Sequence, residues 1–271
     1  MHRAARYPAR PHYNNFLPTP LQLALIDVVL VRPRNPLNIG AAARAMANFG
    51  FTHLTVVDPW EPHWRDARSA VDAEQLLETA RLTATVGEAV AGCTLVLGTG
   101  SLTYRKPEQP VVQLPDLAPA VRQELAQGGR IAVIFGPENH GLTREDLVWC
   151  HRLIEIPTSD VQPSMNLGQA VAVCLYELAT RALSVGMEAA DGPFEAPAAL
   201  VDAPSGPVSA DLDLLAGLIE EVMVASHYSP GRVLAVSRHD LRLSLRRLCF
   251  TRRDLRRALG LFRRILYRLK P

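Results

Sequence analysis

The residues with chemistry to offer sit in three separated stretches. They are NIGAAARAMANFGF over 38–51, FGPENHGLT over 135–143 and IPTSDVQPSMNLGQAVAVCLYEL over 156–178. Each sets glycine or proline turns beside polar residues that packing does not demand: Asn38 and Arg44, Glu138 and Asn139, Ser164 and Asn166. Asn38 reads as the N-cap of a helix, and a helix N-terminus attracts anions. Neither GxxxxGK[ST] nor GxGxxG is present, so the usual nucleotide-binding fingerprints are missing. Arg44 stands in a run of alanines, either as a snorkelling or salt-bridged side chain or as a cation kept for a ligand. Glu138 lies between Gly136 and Gly141, where a carboxylate can pair with Arg44, bind a ligand or sit in water. His140 is a lone loop histidine. Ser164 lacks the GxSxG elbow and a partnered base, which argues against acyl transfer.

The elements that position these residues alternate. Strands are expected at Leu25–Val31, His53–Val57, Thr94–Gly98, Ile131–Phe135 and Leu153–Ile156. Their unbroken Val, Leu and Ile content fits a parallel sheet buried on both faces. Helical patterns fall at 39–49, 69–79, 117–127 and 166–185, giving an α/β fold with the three stretches at strand ends. Asn166 doubles as a candidate N-cap, and Thr143-Arg-Glu-Asp146 spells a capping box.

The expected division is a flexible arm over 1–20, an α/β domain over 21–186, a linker over 187–210 and a helical extension over 211–271. The arm carries Arg3, Arg6 and Arg10 among four prolines, and the linker has four prolines and no basic residue. In the extension, Ser237-Arg-His-Asp240 and Thr251-Arg-Arg-Asp254 look like helix starts. From Gly231 onward thirteen Lys and Arg face two Asp, a net +11, so the rest of this +2 chain carries −9. Such a segment has either solvated helix faces or a surface for a polyanion. Cys93, Cys150, Cys174 and Cys249 lack metal-ligand spacing and read as reduced thiols of a cytoplasmic protein, with no metal. The apolar run at 23–31 is too short to span a membrane and contains Asp27.

In order and spacing, N-x-G-x-x-x-R, F-G-x-E-x-x-G-L and S-x-N-L resemble the three motifs of the SpoU class, SPOUT-superfamily RNA ribose 2′-O-methyltransferases that use S-adenosylmethionine. The likeness covers about residues 25–185. It runs furthest toward the TrmJ subfamily, which methylates nucleotide 32 of the tRNA anticodon loop and shares a Leu/Arg-rich helical end. The resemblance implies a mostly parallel sheet with a C-terminal deep trefoil knot, a homodimer and RNA, first of all tRNA, as partner. It implies a cofactor pocket on Thr99, Gly100, Ser101, Gly136, Ile156, Pro163, Ser164 and Met165. It places Arg44 nearest the ribose 2′-hydroxyl, with Asn38 and Glu138 orienting Arg44 or the RNA backbone, and Ser164 and Asn166 shaping the turn and contacting the cofactor or ribose. Ribosomal RNA or another tRNA position is the alternative target, and a non-catalytic RNA-binding relative the alternative class.

Overall fold

The computed structural model describes residues 20–100, 107–182, 206–228 and 234–270. Ser101, the arm up to residue 19, the last four residues of the expected α/β domain (183–186) and linker residues 187–205 lie outside the described residues. Seven strands form one parallel sheet: β1 (Ile26–Val31), β2 (His53–Val57), β3 (Arg81–Thr83), β4 (Leu95–Thr99), β5 (Val111–Gln113), β6 (Ile131–Phe135) and β7 (Arg152–Glu155). Their order is β3-β2-β1-β6-β4-β7-β5. Strands β1, β4 and β6 are buried along their whole length, as their apolar runs require. Asp27, the polar exception in β1, accepts hydrogen bonds from Arg130 at 2.7 and 3.2 Å.

Helices α1 (Pro20–Leu23), α2 (Pro36–Phe49), α3 (Glu74–Thr79), α4 (Val86–Val90), α5 (Ala118–Ala126), α6 (Arg144–Leu147) and α7 (Leu167–Glu177) flank the sheet; α7 runs into a π turn over Leu178–Ala182. Helices α2, α3, α5 and α7 cover one face. Helix α4, with Leu147 and Trp149, covers the other. Against Ala41 of α2, a Cβ on Gly168 of α7 would lie only 2.7 Å from the Ala41 Cβ, so only glycine lets the two helices approach this closely.

Helix α2 opens three residues before the expected Asn38. Asn35 is its N-cap, accepting from Leu37 N, and Pro36 takes the first position, where its missing N–H costs nothing. Asn38 is thereby released from capping. The expected helix at 69–79 begins only at Glu74, because Ser69 is held in a turn by donating to the Leu37 carbonyl at 2.7 Å. Strands β3 and β5 were not expected; at three residues each, with mostly exposed side chains, they leave no apolar run.

Helices α8 (Ser209–Ala225), α9 (Leu234–Arg247) and α10 (Arg252–Leu269) share their own core of Leu212, Leu215, Leu245, Leu255 and Leu259. Ser237 falls inside α9 rather than at its start, since a Ser-x-x-Asp pair caps nothing once a helix is under way. Thr251 caps α10 as expected. Residues 209 and 210 donate to the Cys93 and Ala91 carbonyls, so the extension is docked beside α4.

Candidate active site

Because every strand is parallel, the loops after β1, β2, β4, β6 and β7 gather on one edge of the sheet. The chain winds outward from β1 to β3, then crosses to β4 on the other side of β1, and ligands of open α/β sheets bind at such reversals. The loop after β6 grips the loop after β1 at both of its ends. Glu138 Oε2 accepts from Arg34 N at 2.9 Å, and Oε1 accepts from Asn35 N at 3.1 Å and from Asn38 Nδ2 at 2.8 Å. Asp146 accepts from Thr143 N and Oγ1, closing the capping box, and also pairs with the Arg32 guanidinium. Arg32 has φ 45°, a conformation rare outside glycine, and its N–H completes the ladder to Val57 O at 2.8 Å. Sequence marked Asp146 as a capping residue, which it is, but not as the partner of Arg32; for Arg32 the only signal was the crowding of Arg and Pro in RPRNP.

The third stretch joins the same network. Asn166 Nδ2 donates to Asn38 Oδ1 at 2.9 Å, while Asn166 Oδ1 caps α7 by accepting from Gly168 N at 2.9 Å and Gln169 N at 3.4 Å. A continuous chain of hydrogen bonds therefore runs from the N-terminus of α7 through Asn166 and Asn38 to Glu138. Partial burial acts to raise the Glu138 pKa, but the Asn38 amide and the backbone N–H groups of Glu138, Arg34 and Asn35 outweigh it and hold the carboxylate below its ordinary value. With both oxygens occupied by donors, Glu138 is built as a clamp and makes a poor base.

Beside the clamp lies a cleft of about 380 Å³. Seven of the eight expected pocket residues line it: Thr99, Gly100, Gly136, Ile156, Pro163, Ser164 and Met165. Glu138, Asn139, His140, Thr158 and the apolar Phe135, Leu167 and Ala170 are among the other wall residues. Thr99 spends its hydroxyl on Ile134 O at 3.0 Å. A Cβ on Gly100 would meet nothing within 4 Å, so the space beside its backbone is open, although its N–H donates to Ile154 O at 3.4 Å. At Gly136 a Cβ would fall 2.2 Å from Leu142 N, which is why this loop folds back so tightly. The size, the open space beside the glycine backbone and the mix of apolar and hydroxyl walls fit a nucleoside with a short chain.

Arg44 is the expected site residue that stands apart. It is exposed, lines no part of the cleft and pairs with no described residue. Of the readings open to Glu138, pairing with Arg44 is not the one this chain makes: Arg44 lies six residues beyond Asn38, roughly 9 Å along the helix axis. It shares the ridge of Asn38 and Ala41, the one turned toward α7.

The model of the SpoU rRNA Methylase family matches residues 26–176, more than half of the chain. The chain belongs to that family. The SpoU match spans every strand of the sheet and all three motifs, N-x-G-x-x-x-R, F-G-x-E-x-x-G-L and S-x-N-L. A tRNA (cytidine/uridine/adenosine-2′-O-)-methyltransferase TrmJ of Pseudomonas aeruginosa is 40% identical over 154 residues, covering 56% of this chain but only 60% of the relative's length. A tRNA (cytidine/uridine-2′-O-)-methyltransferase TrmJ of Cronobacter sakazakii is 32% identical over 216 residues, covering 77% of this chain and 84% of the relative. The crystal structure of TrmJ from Z. mobilis ZM4 superposes with a TM-score of 0.73 at 28% identity, covering 89% of this chain and 99% of that one. The likeness to TrmJ therefore extends past the SpoU core into the helical extension.

Proposed function

We propose that this protein transfers a methyl group from S-adenosylmethionine to a ribose 2′-hydroxyl of tRNA, with nucleotide 32 of the anticodon loop as the target. The observation that carries this reading is the hydrogen-bonded chain Asn166–Asn38–Glu138 beside a nucleoside-sized cleft, in a chain similar to TrmJ methyltransferases. When bound, the cofactor supplies an electrophilic methyl group. Gly100, Gly136 and Pro163–Met165 would hold it through backbone and short side chains, against the apolar Phe135, Ile156 and Leu167. Glu138, Asn38 and Asn166 fix the relative positions of the three loops, so that the attacking oxygen can approach the methyl carbon in line. Arg44 would steady the ribose and its developing negative charge; an arginine is too weak an acid to serve readily as a base.

The protein would act as a homodimer in the cytoplasm. An exposed Arg44 with no partner among the described residues, outside this chain's own cleft, is what a site completed across a subunit interface leaves in one chain. No described helix is long and apolar enough to cross a membrane. The proposed trefoil knot is supported by β7 lying between β4 and β5, two strands made before it. Stretching the chain from its ends should leave a compact knotted remnant, and extension to full contour would reject it.

The family's rRNA description supports ribosomal RNA as the second reading. Mapping ribose methylation in cells lacking the protein separates the two: loss at tRNA nucleotide 32 is expected, and loss in ribosomal RNA alone overturns the tRNA assignment. The variant Arg44→Ala is expected to lose methyl transfer while binding the cofactor normally, and normal turnover would remove Arg44 from the mechanism.

A further inference from the structure

Across the sheet edge, the site has a neighbour that the clamp and the cleft do not use. In the loop after β2, the Trp60 ring is 69% exposed although tryptophan usually finds cover. The Arg34 guanidinium lies over it, 4.9 Å from the ring centroid. Neither residue hangs free at the backbone. Trp60 N donates to Pro33 O at 3.1 Å, and Arg34 N is one of the donors held by Glu138. The ring is thus fastened to the same loop that the clamp fixes. Its strand, β2, is two neighbours from β6 in the sheet, roughly 10 Å at one strand spacing each. Leu37, in the first turn of α2, is 54% exposed on the same loop-to-helix segment.

We propose that Trp60, with Arg34 behind it, is a stacking platform for an unpaired base of the substrate RNA next to the nucleotide being methylated. The proposal rests on the RNA reading of the cleft. Aromatic rings stack on any base, and an arginine at the ring adds a donor for the adjoining phosphate. The surroundings argue for stacking over charge. Asp58 and Glu61, both exposed, flank the ring in sequence, so this loop is no part of a general basic surface. A platform of this kind holds the flanking nucleotide so that the ribose reaches the clamp in one orientation, a specificity role that charge alone does not supply.

The test compares wild type, Trp60→Ala and Trp60→Phe in methyl transfer to tRNA, in cofactor affinity and in binding of a fluorescein-labelled unstructured oligoribonucleotide. Trp60→Ala should raise KM for tRNA about five- to 150-fold. It should weaken oligonucleotide binding in proportion, with cofactor affinity and the salt slope of binding unchanged. Trp60→Phe keeps a π face and should recover most of the loss. An unchanged KM and oligonucleotide affinity in Trp60→Ala overturns the platform. A lower sedimentation mass with unchanged RNA affinity overturns it in favour of a contact between copies of this chain. Failure of the wild type to methylate any RNA would sink the functional reading instead, and the oligonucleotide arm would still decide on Trp60.

Discussion

Glu138 holds its charge with hydrogen-bond donors and not with a cation, and that choice sets its pH behaviour. Its folded pKa lies below the ordinary value of about 4.3, so the clamp's stabilisation is complete above that value and is lost as pH falls through the lowered one. Glu138→Gln turns one oxygen into an NH₂ facing N–H donors; at this exposed residue the cost is that of the lost hydrogen bonds, about 0.5–1.5 kcal/mol each at most, since water can reach the stranded donors. The variant should unfold at a lower temperature at neutral pH, with the gap to wild type closing as acid takes Glu138 through its lowered pKa. A gap independent of pH would show that the carboxylate's charge is irrelevant. In methyl transfer it should lose about 100-fold in kcat, the cost of a misplaced reacting geometry, with cofactor affinity held. Sequence picked out Glu138, Asn38 and Asn166 because each is polar where packing asks for nothing. It did not reveal their partners. The Arg34 and Asn35 N–H groups that fill Glu138 belong to the backbone, and a backbone donor leaves no mark on residue type.

At the scale of elements, the apolar runs of β1, β2 and β6 made the sheet legible, while β3 and β5 escaped because an exposed three-residue edge strand buries too little to shape its composition. Helix α2 was misplaced at its start because two asparagines, Asn35 and Asn38, compete for the cap and only the following Pro36 decides between them. Two predictions belong here. Gly136→Ala puts a Cβ 2.2 Å from Leu142 N, so the β6–α6 loop must open; a loss of about 1–3 kcal/mol in urea unfolding and a weakened cofactor affinity are expected, and wild-type values for both would show that the tight fold-back is dispensable. His151, at the turn into β7, accepts from Val96 N at 3.0 Å through Nδ1, which requires that nitrogen to be unprotonated. Burial first, then the charges of Arg246 and Arg152, push its pKa down to about 3. The unfolded chain takes up a proton near pH 6.5 that the folded one refuses, so stability falls as pH drops from about 6.5 toward 3. Because His151 retains some solvent contact, the slope is at most about 1.4 kcal/mol per pH unit. Urea midpoints between pH 7 and 4 should show a shallower decline in His151→Gln, and parallel declines would acquit the histidine.

Across the whole molecule, the basic extension is joined to the sheet domain by a buried arginine. Arg246 is 4% exposed and donates to Trp149 O at 3.2 Å and to Ser209 Oγ at 2.8 Å, while its guanidinium and that of Arg242 lie 5.1 and 4.6 Å from the Trp149 ring. Removing residues 211–271 would therefore strip cover from the α4 face as well as remove charge, and could not report on RNA binding alone. Point changes on α10 can. Arg253, Arg257, Arg264 and Arg268 are exposed and recur within a narrow arc of the helix, while Leu255, Leu259 and Leu266 occupy the buried side. Changing the four arginines to Gln leaves that apolar side intact, so folding and cofactor affinity should hold. Each phosphate neutralised contributes about 0.9 to the slope of log affinity against log salt, so the quadruple variant should lose up to about 3.6 from the tRNA slope. Its kcat at saturating tRNA should be unchanged, because the stripe steers and anchors the polyanion without touching the cleft. An unaltered slope would leave these arginines as a solvated helix face and return the task of holding tRNA to the edge of the sheet.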